Sequence, residues 1–278
     1  MLRSPSRAVW LASAAAWALS ACALEPGQPW GWWSAEVRAR ASVAADRQLP
    51  DGRFRTASEY VWQLDPLQLE LDSLRLVVTD NGASIGFDPA KPPAGYSLCH
   101  GGHCHANDGR LVDYAEVQTE LLGKTQGNTA IDLPLLATIT MAQADVAAQQ
   151  TGTAAMPLGN VASLQLSWRG LRLHGKVWDA RPGSPRLPAD GVALTLLLPA
   201  DSVSVLLDGH TGPHQPLRWH TAIDLDLPAS WLDGFDPAPL AKDATALNLP
   251  PDHPAVLALN EALHGHVRAS VSVGHPPQ

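Results

Sequence analysis

Residues 99–105 have the sequence CHGGHCH, which gathers two cysteines and three histidines within seven residues. Thiolate and imidazole groups together suit copper and zinc ions, so these residue types indicate a transition-metal site. Gly101 and Gly102 allow a tight turn between the flanking side chains, because glycine adopts backbone conformations that other residues avoid. The stretch therefore predicts a metal site whose candidate ligands are Cys99, His100, His103, Cys104 and His105.

The two cysteines of this stretch also allow other chemistries. Four residues lie between Cys99 and Cys104, a spacing that permits a disulfide. The histidines would then bind metal without the thiols or line a stapled loop. The order Cys-x4-Cys-His resembles an expanded c-type haem motif, in which His105 would be the axial ligand. The histidines also fit a polar loop with no special role, and all of these alternatives stay open here.

Other polar residues could extend the site. Asp108, Asp113 and Glu116 follow the stretch closely and could accept hydrogen bonds from the free ring N–H groups of ligating histidines. His264 and His266 would share one face of an extended segment, where a His-x-His pair can chelate an ion. These two histidines are therefore additional candidate ligands.

The N-terminus carries a targeting signal. Arg3 and Arg7 precede an apolar run of small residues that is too short to span a bilayer, as in a secretory signal peptide. The run ends in LSAC, residues 19–22, which resembles the bacterial lipobox whose cysteine is lipidated. This predicts a signal peptide over residues 1–21 and a lipid anchor on Cys22. Ala23 after that cysteine implies sorting to the periplasmic face of the outer membrane, where disulfides form.

Composition limits the function further. The net charge of −8, with no basic stripe, argues against a nucleic-acid partner. No nucleophile elbow, phosphate-binding loop, dinucleotide fingerprint or His-Glu-x-x-His motif is present, so we expect no enzymatic activity. The predicted partners are a metal ion and a protein that exchanges it, with membrane contact through the lipid anchor alone.

The segments around the stretch alternate apolar and polar residues, which is typical of half-buried strands. Residues 35–43, 217–227 and 267–273 show this period of two most clearly. At Gly170 the apolar set shifts by one residue, which predicts a β-bulge or a tight bend. We therefore predict a mainly β fold, a single antiparallel β-sandwich over residues 34–278. A tether over residues 22–33 precedes it, and the Cys/His loop is residues 95–110.

Helix signals are few. The strongest covers residues 107–122, with Asn107 or Asp108 as a cap, an approximate helical apolar stripe and Gly123 as a stop. Shorter candidates lie at residues 228–235 and 253–265. We expect these helices to lie in the connections between strands.

The C-terminal part of the chain resembles a group of bacterial periplasmic proteins. The segments LPASWLDGFD, residues 227–236, and HPAVLALNEALHGHV, residues 253–267, are similar to those of copper-associated partner proteins encoded beside di-haem peroxidase-like enzymes in methanobactin-type operons. The resemblance implies a sandwich-like strand series and a link to copper. This chain has fewer cysteines in its body than many members, and the CHGGHCH stretch has no counterpart in the group.

These observations predict a periplasmic lipoprotein that binds a transition metal, copper ahead of zinc, for capture, delivery or sensing. One alternative is a non-enzymatic structural or interaction lipoprotein with an ordinary Cys99–Cys104 disulfide. Another is an electron carrier with covalent haem c at the Cys-x4-Cys-His motif.

Overall fold

The structure, a computed structural model, describes residues 29–79, 88–124, 128–143, 145–183, 185–211, 218–242 and 244–274. The predicted signal peptide over residues 1–21 and the lipidation site Cys22 lie outside these ranges. Among the described residues, no helix is long and apolar enough to cross a membrane.

The described strands, in chain order, are β1 Pro29–Ser42, β2 Phe54–Arg55, β3 Tyr60–Leu64, β4 Leu67–Thr79, β5 Tyr96–His100, β6 His103–Ala106, β7 Leu111–Asp113, β8 Asn128–Pro134, β9 Thr138–Met141, β10 Ala147–Pro157, β11 Gly159–Asp179, β12 Val192–Leu198, β13 Asp201–Thr211, β14 Arg218–Pro228, β15 Ala246–Leu249 and β16 Arg268–Gly274. The α-helices are α1 Tyr114–Lys124, α2 Ala238–Ala241 and α3 Pro254–His266. Two short 3-10 helices span Ala45–Arg47 and Ala229–Leu232.

The strands form three sheets. One has four strands in the order β10-β1-β14-β16, and a second has nine strands centred on β11. The third has three strands, β5-β6-β7. Pairs β1–β14 and β12–β15 are parallel, whereas the other strand pairs in the described ranges are antiparallel. The prediction of a mainly β, antiparallel sandwich with a few short helices is confirmed, with these two parallel pairs added.

The core lies between the two larger sheets. In β1 of the four-stranded sheet the alternate residues Trp33, Ala35 and Val37 are buried, and in β11 of the nine-stranded sheet Leu164 and Leu166 are buried in the same cluster. Side chains at every second position of a strand point to one face, so the alternation read from the sequence becomes one apolar face per sheet. Burial of these two faces against each other joins the sheets into a sandwich.

The longest described strand, β11, has an irregular pairing register where the apolar pattern changes phase. Its pairing with β4 shifts register between Trp168 and Gly170, and Trp168 and Leu171 are both buried on either side of the shift. A Cβ atom at Gly170 would lie 3.0 Å from the carbonyl oxygen of Leu198, so a larger residue would require the neighbouring strand to shift slightly. The predicted irregularity at this glycine is confirmed.

Three local expectations need correction or refinement. Strand β1 begins at Pro29, so residues 29–33 of the predicted tether belong to the first sheet. The predicted helix over residues 107–122 starts only at Tyr114, because Gly109 turns the chain and Leu111–Asp113 pairs with β6 as a strand. The candidates at 228–235 and 253–265 correspond to the 3-10 helix Ala229–Leu232 and to α3.

Candidate metal centre

The CHGGHCH stretch folds as a tight β-hairpin. Strands β5 and β6 are joined by a two-residue turn, Gly101 and Gly102, and the residues that flank it, His100 and His103, pair with each other. Both glycines have positive φ angles, +59° and +96°, as a type I′ turn requires. This turn matches the twist of the two strands, so the glycine pair determines the register of the hairpin.

The cysteines lie on the inner face of the hairpin. Cys99 and Cys104 are directly opposite each other, with their Cα atoms 4.0 Å apart, and they form a disulfide. Both are buried, in a small cluster that also contains Ala106, Val112 and Val117. The disulfide therefore ties the two strands together on the side that faces helix α1.

The histidines lie on the outer face, because each is one residue away from a cysteine and side chains alternate along a strand. The possible ligand atoms of His100, His103 and His105 all lie within 4.8 Å of one another. The Nε2 atoms of His100 and His105 are 3.1 Å apart. The ring centroids are 4.7–5.4 Å apart. His100 is exposed and the other two are half-buried, so the cluster opens to solvent.

Strand β7 completes this outer face as two rows across the sheet. His105 pairs with the exposed Leu98 on one side and with Leu111 on the other. In the next row His103 lies between His100 and Asp113. The histidine cluster is thus bordered by two leucines and one carboxylate.

Helix α1 supports the three-stranded sheet from its inner side. Its residue Val117 is fully buried in the small core, and the hydroxyl of Tyr96 in β5 donates a hydrogen bond to Glu120. Burial and this hydrogen bond raise the pKa of Tyr96 well above its usual value. Strands β5–β7 and helix α1, residues 96–124, are called the hairpin–helix module below.

The module joins the sandwich through a charged cluster. Asp201 accepts a hydrogen bond at 3.2 Å from Nδ1 of His264, and Oδ2 of Asp113 lies 3.5 Å from Nε2 of the same ring. Contact with Asp113 and with Asp201 raises the pKa of His264 to about 10. Ser202 donates a hydrogen bond of 3.0 Å to Glu116, whose pKa is raised because it is buried. At neutral pH His264 is therefore a cation between two carboxylates.

Two groups of predicted ligands are corrected by this geometry. Cys99 and Cys104 are bonded to each other and face away from the histidines, so they offer no thiolate to the cluster. His264 and His266 lie in the last turn of α3, where residues two apart do not face each other, and the expected His-x-His pair is not formed. His264 is protonated between carboxylates, and Nδ1 of His266 contacts the carbonyl oxygen of Ala262 at 2.8 Å.

The site also contains features that the sequence did not reveal. Asp201 is 63 residues from His264 in the chain, and only the packing of α3 on the sandwich brings the two together. Asp113 was expected near the histidines, but its place opposite His103 depends on strand β7, which was predicted as part of a helix. The acidic turn Asp108–Gly109 was the available sign that the chain reverses before Leu111.

Comparison of the chain with protein-family models, with curated proteins and with solved structures finds no match. The resemblance to copper-associated partner proteins therefore stays a prediction.

Proposed function

We propose that this chain is a periplasmic lipoprotein, anchored to the outer membrane through Cys22, that binds one transition-metal ion at His100, His103 and His105. The observation that carries the proposal is the convergence of three imidazoles, whose ligand atoms lie within 4.8 Å of one another on one face of a hairpin. Three imidazoles on one short hairpin are a donor set suited to copper and zinc.

The spacing between two of the rings supports direct coordination. Two nitrogen ligands with metal–nitrogen bonds of about 2.0–2.1 Å lie roughly 2.9–3.4 Å apart for bond angles between 90° and 109°. The Nε2 atoms of His100 and His105 are 3.1 Å apart, which falls within this range. The ligand atom of His103 lies within 4.8 Å of the other two, so its ring must move closer to bring a nitrogen to the same point.

Copper is proposed ahead of zinc for two reasons. Divalent copper binds a given nitrogen-donor site more tightly than the other divalent first-row metals. The cluster is also open to solvent, so the ion can adopt the additional ligands that its preferred geometry requires. An open site exchanges its ion readily, which fits capture, delivery or sensing better than permanent structural binding.

The disulfide acts in this proposal as a staple for the site. A covalent bond between Cys99 and Cys104 restricts the hairpin in the residues directly beside His100, His103 and His105. Preorganised ligands lose less conformational entropy on binding, which raises affinity. A stable disulfide also agrees with export to an oxidising compartment, as the lipobox-like LSAC segment predicts.

The main alternative is a structural or interaction lipoprotein without a metal. The disulfide favours it, since a stapled hairpin is useful as a rigid surface, and the exposed Leu98 and Leu111 border the same face. An electron carrier with covalent haem would need both cysteine sulfur atoms for thioether bonds, and the Cys99–Cys104 disulfide uses them. No catalytic residue is part of the proposal.

The test is metal analysis of the exported chain with Cys22 removed and the body disulfide intact. We expect close to one copper or zinc ion per chain after equilibration and dialysis, and zero free thiols. A variant with His100, His103 and His105 changed to Ala should lose the ion. The matched control changes three histidines outside the cluster, His174, His210 and His266, to Ala and should keep it. A sub-stoichiometric metal content in the wild-type chain, or equal loss in the control, contradicts the proposal.

A further inference from the structure

Asp113 occupies a special position beside the histidine cluster. It is the residue of β7 directly opposite His103, in the row His100–His103–Asp113. Side chains directly opposite each other in an antiparallel pair share one face, with Cβ atoms about 4.5–5.5 Å apart. The Asp113 carboxylate is therefore anchored one strand away from a proposed ligand.

The contact of Asp113 with His264 is long and solvent-exposed on the carboxylate side. The Oδ2 atom of Asp113 lies 3.5 Å from Nε2 of His264, which is longer than an ordinary hydrogen bond. The Asp113 side chain is 58% exposed, so it has room to change rotamer. His264 keeps its closer contact with Asp201, 3.2 Å, when Asp113 turns away.

A bound divalent ion would attract this carboxylate. Three neutral imidazoles leave both positive charges of the ion uncompensated, and a carboxylate one strand away reduces that charge. Three nitrogens and one oxygen are a donor set that both copper(II) and zinc(II) accept. Coordination requires the exposed Asp113 side chain to change rotamer, in addition to the movement of the His103 ring.

We propose that Asp113 is the fourth protein ligand of the ion and exchanges its contact with His264 for the metal. This inference rests on the proposed function, because it assigns a further ligand to the same site. It makes the ion and His264 competitors for one carboxylate. Metal binding then changes one of the contacts between the hairpin–helix module and the sandwich.

The experiment compares Asp113→Asn with Asp108→Asn by copper(II) titration and electron paramagnetic resonance. Asp108 is a matched control, because it lies in the same module, is 56% exposed and also pairs with a cation, Arg110. We expect D113N to weaken copper binding about tenfold to a hundredfold, in the range found when supporting groups of metal sites are removed. Its copper(II) spectrum should change, because a neutral water or amide oxygen would replace the charged carboxylate oxygen beside the three nitrogens, whereas D108N should match the wild type.

Two further variants sharpen the result. Asp113→Glu keeps a carboxylate and should retain the wild-type donor set. His264→Gln removes the competing cation and should raise copper affinity, provided that thermal melting shows an intact fold. Equal affinities of D113N and D108N would overturn the inference, as would an unchanged D113N spectrum despite weaker binding. Either result leaves the proposed function standing, whereas a wild-type chain that binds no ion overturns both.

Discussion

Trp33 in β1 and Cys104 in β6 are both fully buried, but their surroundings differ greatly. Trp33 belongs to the large core between the two main sheets, and its ring N–H donates a 3.0 Å hydrogen bond to Thr221. Cys104 lies in a cluster of only five buried residues and is bonded to Cys99. Apolar packing stabilises the sandwich, whereas a covalent bond and a few polar links stabilise the hairpin–helix module that carries the histidines.

The carboxylate contacts of the two regions also differ, in how deeply the carboxylate is buried. At the end of β11 the Asp179 side chain is completely buried and receives hydrogen bonds from Arg181 and from the backbone of Arg186. At the edge of the module Asp113 is more than half exposed, and its Oδ2 lies 3.5 Å from Nε2 of His264. The proposed metal site therefore borders the more exposed of these two polar links.

Replacement of Trp33 should show the largest effect. Trp33→Ala leaves a large cavity and an unpaired Thr221 hydroxyl, so we expect a loss of about 3–5 kcal/mol in the free energy of unfolding. Chemical denaturation measures this value. The neighbouring Trp32 is 56% exposed, and Trp32→Ala should change stability by less than about 0.5 kcal/mol. Similar losses in both variants would contradict the assignment of the core to this face of β1.

Replacement of Asp179 tests how much its hydrogen bonds with Arg181 and Arg186 stabilise the sandwich. Burial opposes ionisation of its carboxyl group, but hydrogen bonds from Arg181 and Arg186 outweigh it and lower its pKa. Asp179→Asn should cost about 1.5–3 kcal/mol at neutral pH, the range for hydrogen bonds to charged groups.

The pH dependence of this effect has a defined sign. A carboxyl group with a lowered pKa in the folded state stabilises the fold above its unfolded pKa, about 3.9, and loses that contribution as the pH falls through the folded value. The difference between wild type and D179N should therefore be constant at neutral pH and shrink below about pH 4. A difference that grows on acidification would contradict the ion-pair explanation. Urea denaturation at several pH values makes the comparison.

Removal of the disulfide should affect the module alone. Changing Cys99 and Cys104 to Ala should cost about 2 kcal/mol of local stability by loop-closure entropy. Amide hydrogen exchange should accelerate in residues 96–124 and stay unchanged in β11, and copper affinity should fall. Exchange that accelerates throughout the sandwich would show that the two regions are not separate in stability.

Much of the sandwich could be predicted from the sequence, because the alternation of apolar and polar residues within a strand shows which of its faces is buried. Alternation in β1 and β14 identified the buried faces, and the phase shift at Gly170 identified the irregularity in β11. One failure lies where strand pairing overrides a helical pattern in the sequence. The segment Leu111–Asp113 has a helical stripe around it, but pairing with β6 makes it a strand.

The sequence predicted which residues form the candidate site, but it did not predict all the contacts between them. The two-residue Gly101–Gly102 turn and the period of two place the cysteines on one face of the hairpin and the histidines on the other. The same alternation could have been applied to CHGGHCH before the structure was known. By contrast, the contact of His264 with Asp113 and Asp201 depends on how α3 packs, and no local pattern encodes it.

X-ray absorption spectroscopy of the copper-loaded chain, with its disulfide intact, tests the central claim most directly. We expect a first shell of nitrogen and oxygen scatterers at about 2.0 Å with the outer-shell pattern of imidazole, and no sulfur at about 2.3 Å. That result would show imidazole coordination without thiolate, as expected if His100, His103 and His105 are the ligands and the Cys99–Cys104 disulfide stays intact. A sulfur scatterer in the first shell, or a spectrum without imidazole, would contradict the account.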